Sequence, residues 1–368
     1  RALNIVLNNP NVAGAYDDAK LAAILLQLKD LDIASVLTGF DQSQVDEILA
    51  RAAAAAFNAQ RDPDDIPEPP EAATTQKGDL YILGDHRLLC GDAGNPEDLN
   101  RLLDGGPVHL LNTDPPYNVR VEPRSNNAIA AGLSSFQGPM HHQAADLDRH
   151  PEKSKPTHRK MRAKDRPLEN DFMSDEDFRE RLRAWFGNAA RVLLPGRGFY
   201  IWGGYSNIGN YPAALVEAGL YFSQAIIWVK GWPVLTRKDY MGAHEWAFYG
   251  WREGAAHYFA PDINNATDVW AVKKVTPQKM VHLTEKPVEL ATLAMKYSSK
   301  AGETVLDLFG GSGSTLIACE MTGRHARLME IDPAYCDVIL SRWALFTGRV
   351  PVRVPATVPP AAPEAASA

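Results

Sequence analysis

Asp114-Pro115-Pro116-Tyr117 sets four residues of complementary chemistry in succession. The Asp114 carboxylate accepts hydrogen bonds. Prolines lack N–H groups and fix φ, so the Pro115 carbonyl is presented from a stiff segment. Two acceptors side by side can take the hydrogens of an exocyclic amine, whose nitrogen is a poor nucleophile because its lone pair is delocalised into a ring. Held in that way, the nitrogen turns pyramidal and its lone pair can be aimed at an electrophilic carbon. Tyr117 adds a flat face on which an extruded base can stack. Alone, the tetrapeptide is equally a turn after a strand.

A second run, Asp307-Leu308-Phe309-Gly310-Gly311-Ser312-Gly313-Ser314, follows the apolar Thr304-Val305-Leu306 and leads into Thr315-Leu316-Ile317-Ala318-Cys319-Glu320. That is strand, glycine turn and helix, an arrangement that brings backbone close to a ligand. A phosphate-cradling loop would need Gly-Lys-Ser/Thr, and here no lysine precedes Ser314-Thr315. The dinucleotide fingerprint would need a further glycine where Leu316 stands. A methyl donor with a sulfonium and an amino-acid tail needs an acid at the strand end, a bare turn, and a second acid for ribose hydroxyls. Asp307, the Gly310 to Ser314 turn and Glu330, which closes Leu328-Met329-Glu330, supply these.

These residues must be held by a larger framework. Val108-His109-Leu110-Leu111 reads as a buried parallel strand whose carboxyl end opens at Asp114. Around it we expect a hairpin over Tyr81 to Cys90, a Ser174-capped helix to Leu194 and a strand at Gly198 to Trp202. A helix at 211–218 and strands at 222–229 and 245–249 follow. A helix at 287–299 and a strand at 326–331 complete the set. The βα rhythm predicts an α/β fold with a doubly wound, mostly parallel sheet.

Four regions flank or interrupt this framework. Residues 1–60 show helical periodicity, with Leu21, Ile24, Leu25 and Leu28 on one face, and form a small appendage. Residues 61–77, rich in Pro and acids, read as a linker, and a new domain spans 78–349. Residues 118–170 form an insertion far longer than an ordinary connection. The Pro- and Ala-rich tail over 350–368 reads as disordered.

The chain of 368 residues carries a net charge of -7, which argues against coating nucleic acid through bulk electrostatics. Any such contact must be local, and the insertion offers Lys153, Lys155, Arg159, Lys160 and Arg162. Taken alone, that charge run reads as a solvated, mobile loop rather than as a binding element. No run approaches the roughly 18 apolar residues of a membrane span, and no signal-like segment follows Arg1, so a cytoplasmic protein is the expectation. Cys90, Cys319 and Cys336 lack metal-ligand spacing and read as core residues. His141, His142 and His150 lie in irregular sequence without complementary ligands, so no metal is expected.

Asp114-Pro115-Pro116-Tyr117 followed by Asn118, with Asp307 to Thr315 and His282-Leu283-Thr284-Glu285-Lys286-Pro287, resembles the DNA amino-methyltransferases that modify adenine N6 or cytosine N4. The catalytic motif lies ahead of the glycine turn, as in the permuted β-class, and the resemblance covers roughly Gly78 to Gly348. It implies a seven-stranded Rossmann-like methyltransferase fold in circularly permuted order, S-adenosyl-L-methionine as cofactor and double-stranded DNA as partner, in a bacterial or phage setting. A homodimer is a further assembly to consider, and no membrane is implied.

By matching position, the resemblance implies catalytic roles for Asp114, Pro115, Pro116 and Tyr117. It implies donor binding by Asp92, His282, Thr284, Lys286, Asp307, Phe309, Gly311, Ser312, Gly313, Ser314 and Glu330. Asn118 joins the five basic residues of the insertion as a DNA-contact candidate. Aspartate at 114, where cytosine N4 enzymes more often carry serine, favours adenine. The family usually places target recognition after the strand matching His244-Glu245, but Gly254 to Val281 is short, which shifts that expectation to the basic insertion. Leu3 to Asn8 and Leu37 to Phe40 look like the end of a ParB-like domain. The rival readings are cytosine N4 methylation, methylation of RNA or a protein amide, and a non-catalytic DNA-binding protein on the same scaffold.

Overall fold

The computed structural model describes residues 20–21, 24–25, 45, 61–118, 173–204, 208–234, 239–273 and 286–354. The chain divides into two compact units, Arg1–Pro63 and Asp64–Ala368. In the first, the described residues Lys20, Leu21, Ile24, Leu25 and Val45 are helical, and Leu21, Leu25 and Val45 are buried, as the apolar periodicity requires.

The second unit is built on one sheet. Its strands are β1 (Leu80–Leu83), β2 (His86–Cys90), β3 (Leu110–Thr113), β4 (Gly198–Gly203), β5 (Leu220–Val234), β6 (Gly242–Arg252), β7 (Val269–Ala271), β8 (Thr304–Asp307), β9 (His325–Glu330) and β10 (Val352–Val354). They lie in the order β10-β1-β2-β9-β8-β3-β4-β6-β5-β7. The sheet therefore has ten strands, where seven were expected. The difference is at the edges: β2 to β5 in that order make seven, with β10 and β1 added on one side and β7 on the other. The tail expected to be disordered from Val350 contains β10, which pairs antiparallel with β1 through Ile82 and Val352. Residues 355–368 lie outside the described residues.

From β2 across to β4 the strands are parallel, and all of Leu110–Thr113 and Thr304–Asp307 is buried, as befits strands covered on both faces. Successive side chains enter opposite cores: Val305 packs with Leu110, Ala294, Met295, Leu316, Ile317 and Trp343, whereas Leu306 packs with Leu111, Leu99, Leu182, Trp185 and Phe186. The first core lies under α4 (Val288–Ser298), α5 (Ser314–Thr322) and α6 (Pro333–Thr347). The second lies under α1 (Pro96–Leu103), α2 (Asp175–Val192) and α3 (Tyr211–Glu217). Helix α2 starts as its sequence predicts, with the Ser174 side chain accepting from the Asp177 N–H and three acids in its first turn. No described helix is long and apolar enough to cross a membrane.

One topological feature positions the site. From β8 the chain proceeds through α5 to β9 on one side, while from β3 it proceeds through α2 to β4 on the other. β3 and β8 are therefore neighbours whose connections part in opposite directions. Crevices form at the carboxyl ends of strands at such a point.

Candidate active site

The two motifs meet at this crevice. β3 and β8 pair in parallel through Leu110 with Val305 and Leu111 with Leu306, which levels their carboxyl ends. Thr113 Oγ1 donates to Asp307 Oδ1 at 2.9 Å, and Asp114 is the next residue along. In sheet order β2, β9, β8, β3, the strand ends set Asp92, Glu330, Asp307 and Asp114 in a row. With neighbouring strands about 4.8 Å apart, that row spans roughly 15 Å.

At one end of the row, Tyr117 Oη donates to Asp114 Oδ1 at 2.8 Å. The Lys286 ammonium pairs with Asp114 Oδ2 and donates to Tyr117 Oη at 3.0 Å. Lys286 also lies 3.4 Å from Glu245 Oε2, and Glu245 Oε1 pairs with Lys230 at 2.5 Å. Charges thus alternate from Asp114 through Lys286 and Glu245 to Lys230. Burial pushes the Asp114 carboxyl above its usual range, opposed by the Lys286 charge. Burial would lower the Lys286 ammonium, but Asp114 and Glu245 together outweigh it and hold it above the usual lysine range. The Tyr117 phenol is pushed well up by burial and by the Asp114 and Glu245 charges. The Lys286 ammonium further lies 5.4 Å from the ring centres of both Tyr117 and Trp202. Tyr117 is seated against Gly204, where an added Cβ would come within 3.2 Å of the ring.

Two short bonds give Asn118 a second role beside the expected one. Its Nδ2 donates to the Met173 carbonyl at 3.1 Å, and its Oδ1 accepts from the Met173 N–H at 2.8 Å. Its φ of +50° is a left-handed conformation that asparagine adopts more readily than most residues. Asn118 therefore brackets the two ends of the long insertion. Lys153, Lys155, Arg159, Lys160 and Arg162, within it, lie outside the described residues, as do His282 and Thr284.

At the other end of the row the glycine turn is wired to both acids. Asp307 accepts from Thr113 Oγ1, from the Phe309 N–H at 3.1 Å and from Thr315 Oγ1 at 2.6 Å, so its carboxylate organises the turn from inside. A chain continues from Thr315 through Asn112 to the Trp202 indole at 3.1 and 3.4 Å, linking the turn to the wall beside Lys286. Glu330 accepts from the Gly311 N–H at 2.7 Å and the Asp332 N–H at 2.9 Å. Burial pushes both acids up to about 7. Gly313 sits at φ +87° with its N–H on the Gly310 carbonyl at 2.8 Å. A Cβ at Gly310 would stand 3.0 Å from Ile339 Cδ1. Ser312 is buried, Ser314 opens α5, and Phe309 packs edge-on against Trp185 at 4.9 Å. Beside Glu330, Gly91 N–H donates to the Glu330 carbonyl at 3.0 Å, and Asp92 follows, paired to Arg181 at 3.3 Å.

These residues fit a nucleoside bearing an amino-acid tail. Each Glu330 oxygen takes one backbone N–H and keeps a lone pair for a ribose hydroxyl. The turn between Phe309 and Ser314 leaves bare backbone, and the roughly 15 Å row matches an elongated donor. Sequence reasoning placed Lys286 among the donor contacts, and the fold also sets it on the Asp114 carboxylate. It missed Glu245, Lys230 and Arg342. The signal available was a charged residue within an otherwise apolar strand or helix.

The chain matches the family described as DNA methylase over residues 108–341, and the ParB-methyltransferase HTH domain over residues 19–77. The type II methyltransferase M2.DpnII of Streptococcus pneumoniae is 28% identical over 183 residues, covering 46% of this chain and 68% of that protein. M.Cfr9I of Citrobacter freundii is 29% identical over 140 residues, 35% of this chain and 46% of that protein. The M1.HpyAVI-SAM complex aligns with a TM-score of 0.46 at 20% identity, over 69% of this chain and 98% of that one. The N6/N4 family match takes in both Asp114 and the glycine turn and covers well over half of the sequence, so the chain belongs to the N6/N4 DNA methylase family.

Proposed function

We propose that the chain is an S-adenosylmethionine-dependent, site-specific DNA methyltransferase that modifies N6 of an adenine flipped out of duplex DNA. The observation that carries this reading is the placement of Asp114 at the end of β3, level with the glycine turn at the end of β8. When bound, the donor supplies an electrophilic methyl group; the chain supplies position and electrostatics. Asp114 keeps a lone pair on each oxygen beside its bonds to Tyr117 and Lys286, so it can accept an amine N–H without breaking the ion pair. The Pro115 carbonyl takes the second N–H, and the Tyr117 ring stacks on the base. The Lys286 charge keeps Asp114 an acceptor in a buried setting.

Aspartate rather than serine at 114 supports adenine over cytosine. Nucleoside analysis of DNA from cells expressing the chain should show N6-methyladenine, and N4-methylcytosine in its place would overturn the base assignment. Asp114→Ala should lower methyl incorporation into duplex DNA by about 100-fold or more while donor binding persists. Full activity in that variant would remove Asp114 from the catalytic role.

The basic insertion between Asn118 and Met173 is the proposed DNA clamp, supported by its charge and by the bracket at its base. Reversing Lys153, Lys155, Arg159 and Lys160 should weaken DNA binding and flatten its salt dependence, by about 0.9 in the log–log slope for each phosphate no longer neutralised. Unchanged affinity and slope would rule the clamp out.

A further inference from the structure

Helix α4 begins without a cap of its own. Pro287, its N-cap residue, has no side-chain acceptor for the Val288 N–H. The acceptor comes from 224 residues upstream: Asp64 Oδ1 takes the Val288 N–H at 2.9 Å. A carboxylate at that position also suits the positive end of the helix. Two residues before Val288 stands Lys286, whose ammonium pairs with Asp114.

The same carboxylate faces a second element of the site. Asp64 Oδ1 lies 4.0 Å from the guanidinium of Arg342, a charge on α6 that is only 2% exposed. Arg342 in turn donates to the Ser312 carbonyl at 2.9 Å and to its hydroxyl at 3.3 Å, which pins the Ser312-Gly313 peptide of the glycine turn. Further along, Thr74 and Thr75 donate their N–H and hydroxyl groups to Asp337 on α6, at 2.6 to 3.2 Å. The match to the ParB-methyltransferase HTH domain runs to residue 77, yet the compact unit carrying the catalytic groups begins at Asp64. The last stretch of the helix-turn-helix match is therefore built into the catalytic unit.

We infer that Asp64 is a positioning residue for the donor site: a remote N-cap that holds the Lys286-Pro287 segment in place. It acts through groups that face the donor rather than by touching it. This rests on the reading of the turn as a donor site.

The test is calorimetric binding of S-adenosylhomocysteine to the full chain, with hydrogen exchange at the start of α4. Asp64 is 30% exposed, so Asp64→Ala truncates a side chain that solvent already reaches. It should weaken binding about fivefold to tenfold, the worth of one lost hydrogen bond, and speed exchange at Val288. Asp64→Asn keeps the acceptor and should bind within about twofold of the parent. Val288→Pro removes the donor at a helix position that tolerates proline, so in that background Asp64→Ala should have little further effect. Asp64→Ala binding as tightly as the parent, Asp64→Asn binding as weakly as Asp64→Ala, or fully additive losses with Val288→Pro would each overturn the inference. Failure of the unaltered chain to bind S-adenosylhomocysteine would instead overturn the donor reading of the turn.

Discussion

The ammonium of Lys286 rests on the carboxylate of Asp114, 172 residues away in the chain, and also donates to Tyr117 Oη at 3.0 Å. A carboxyl group accepts hydrogen bonds most strongly while ionised, and burial alone drives it toward its neutral form. The lysine is the group that opposes this. Asp114 and Glu245, the latter 3.4 Å from the same ammonium, keep the lysine charged in turn.

Lys286→Met removes the charge that counters burial at Asp114, so the Asp114 pKa rises further. The proposed mechanism uses the ionised acid, so methyl transfer should climb as pH rises through that pKa. The acidic limb of kcat/KM, followed from about pH 5 to pH 9, should move to higher pH in the variant. A limb left in place would separate Lys286 from the ionisation of Asp114.

Tyr117 offers a ring and a hydroxyl, and two substitutions separate them. Tyr117→Ala removes the stacking face and should cost about 1–3 kcal/mol in kcat/KM for DNA, with the KM for donor little changed. Tyr117→Phe keeps the face and loses the bonds to Asp114 and Lys286, for about 0.5–1.5 kcal/mol. Equal losses in steady-state kinetics of the two variants would deny the ring its role.

Gly313→Ala places a side chain at φ +87° and a Cβ 3.3 Å from Ile339. The backbone alone should cost about 1–2 kcal/mol. Gly105→Ala, at φ +75° with open space around it, serves as the control. In urea unfolding Gly313→Ala should be the more destabilised of the two, and of the two only it should weaken S-adenosylhomocysteine binding.

Glu330 titrates at about 7 in the folded chain against an ordinary 4.5, because it is buried. The folded state therefore holds this proton more tightly than the unfolded one. The stability it contributes is complete below 4.5 and is lost as pH rises through about 7, at most about 3 kcal/mol. Glu330→Gln lacks this titration. Parent stability minus variant stability, from melting curves, should fall as pH rises through that window; a constant difference would contradict the shift.

Much of the framework was legible because its signals are local. The apolar runs Val108 to Leu111 and Thr304 to Leu306 lead into the strands Leu110–Thr113 and Thr304–Asp307, each with an acid at its carboxyl end. Ser174 with three acids behind it announced α2. Helix α1 was overlooked, although Asn95 caps it and Pro96 opens it, a recognisable start. The two outermost strands went uncounted because Val269–Ala271 and Val352–Val354 are too short to show an alternating pattern, and pairing across the sheet is what makes them strands.

The sequence by itself determined the chemistry on offer: a stiff acceptor pair in Asp114 and Pro115, an aromatic face in Tyr117, a glycine turn stripped of the marks of phosphate and dinucleotide loops, and an order that places the first ahead of the second. Only the tertiary structure decided who meets whom. Lys286 on Asp114, Glu245 and Lys230 behind it, and Asp64 capping a helix 224 residues away are pairings set by strand order and by the need of each buried charge and orphan N–H for a partner. Such needs are met across space rather than along the chain, so spacing in the sequence carries no trace of them.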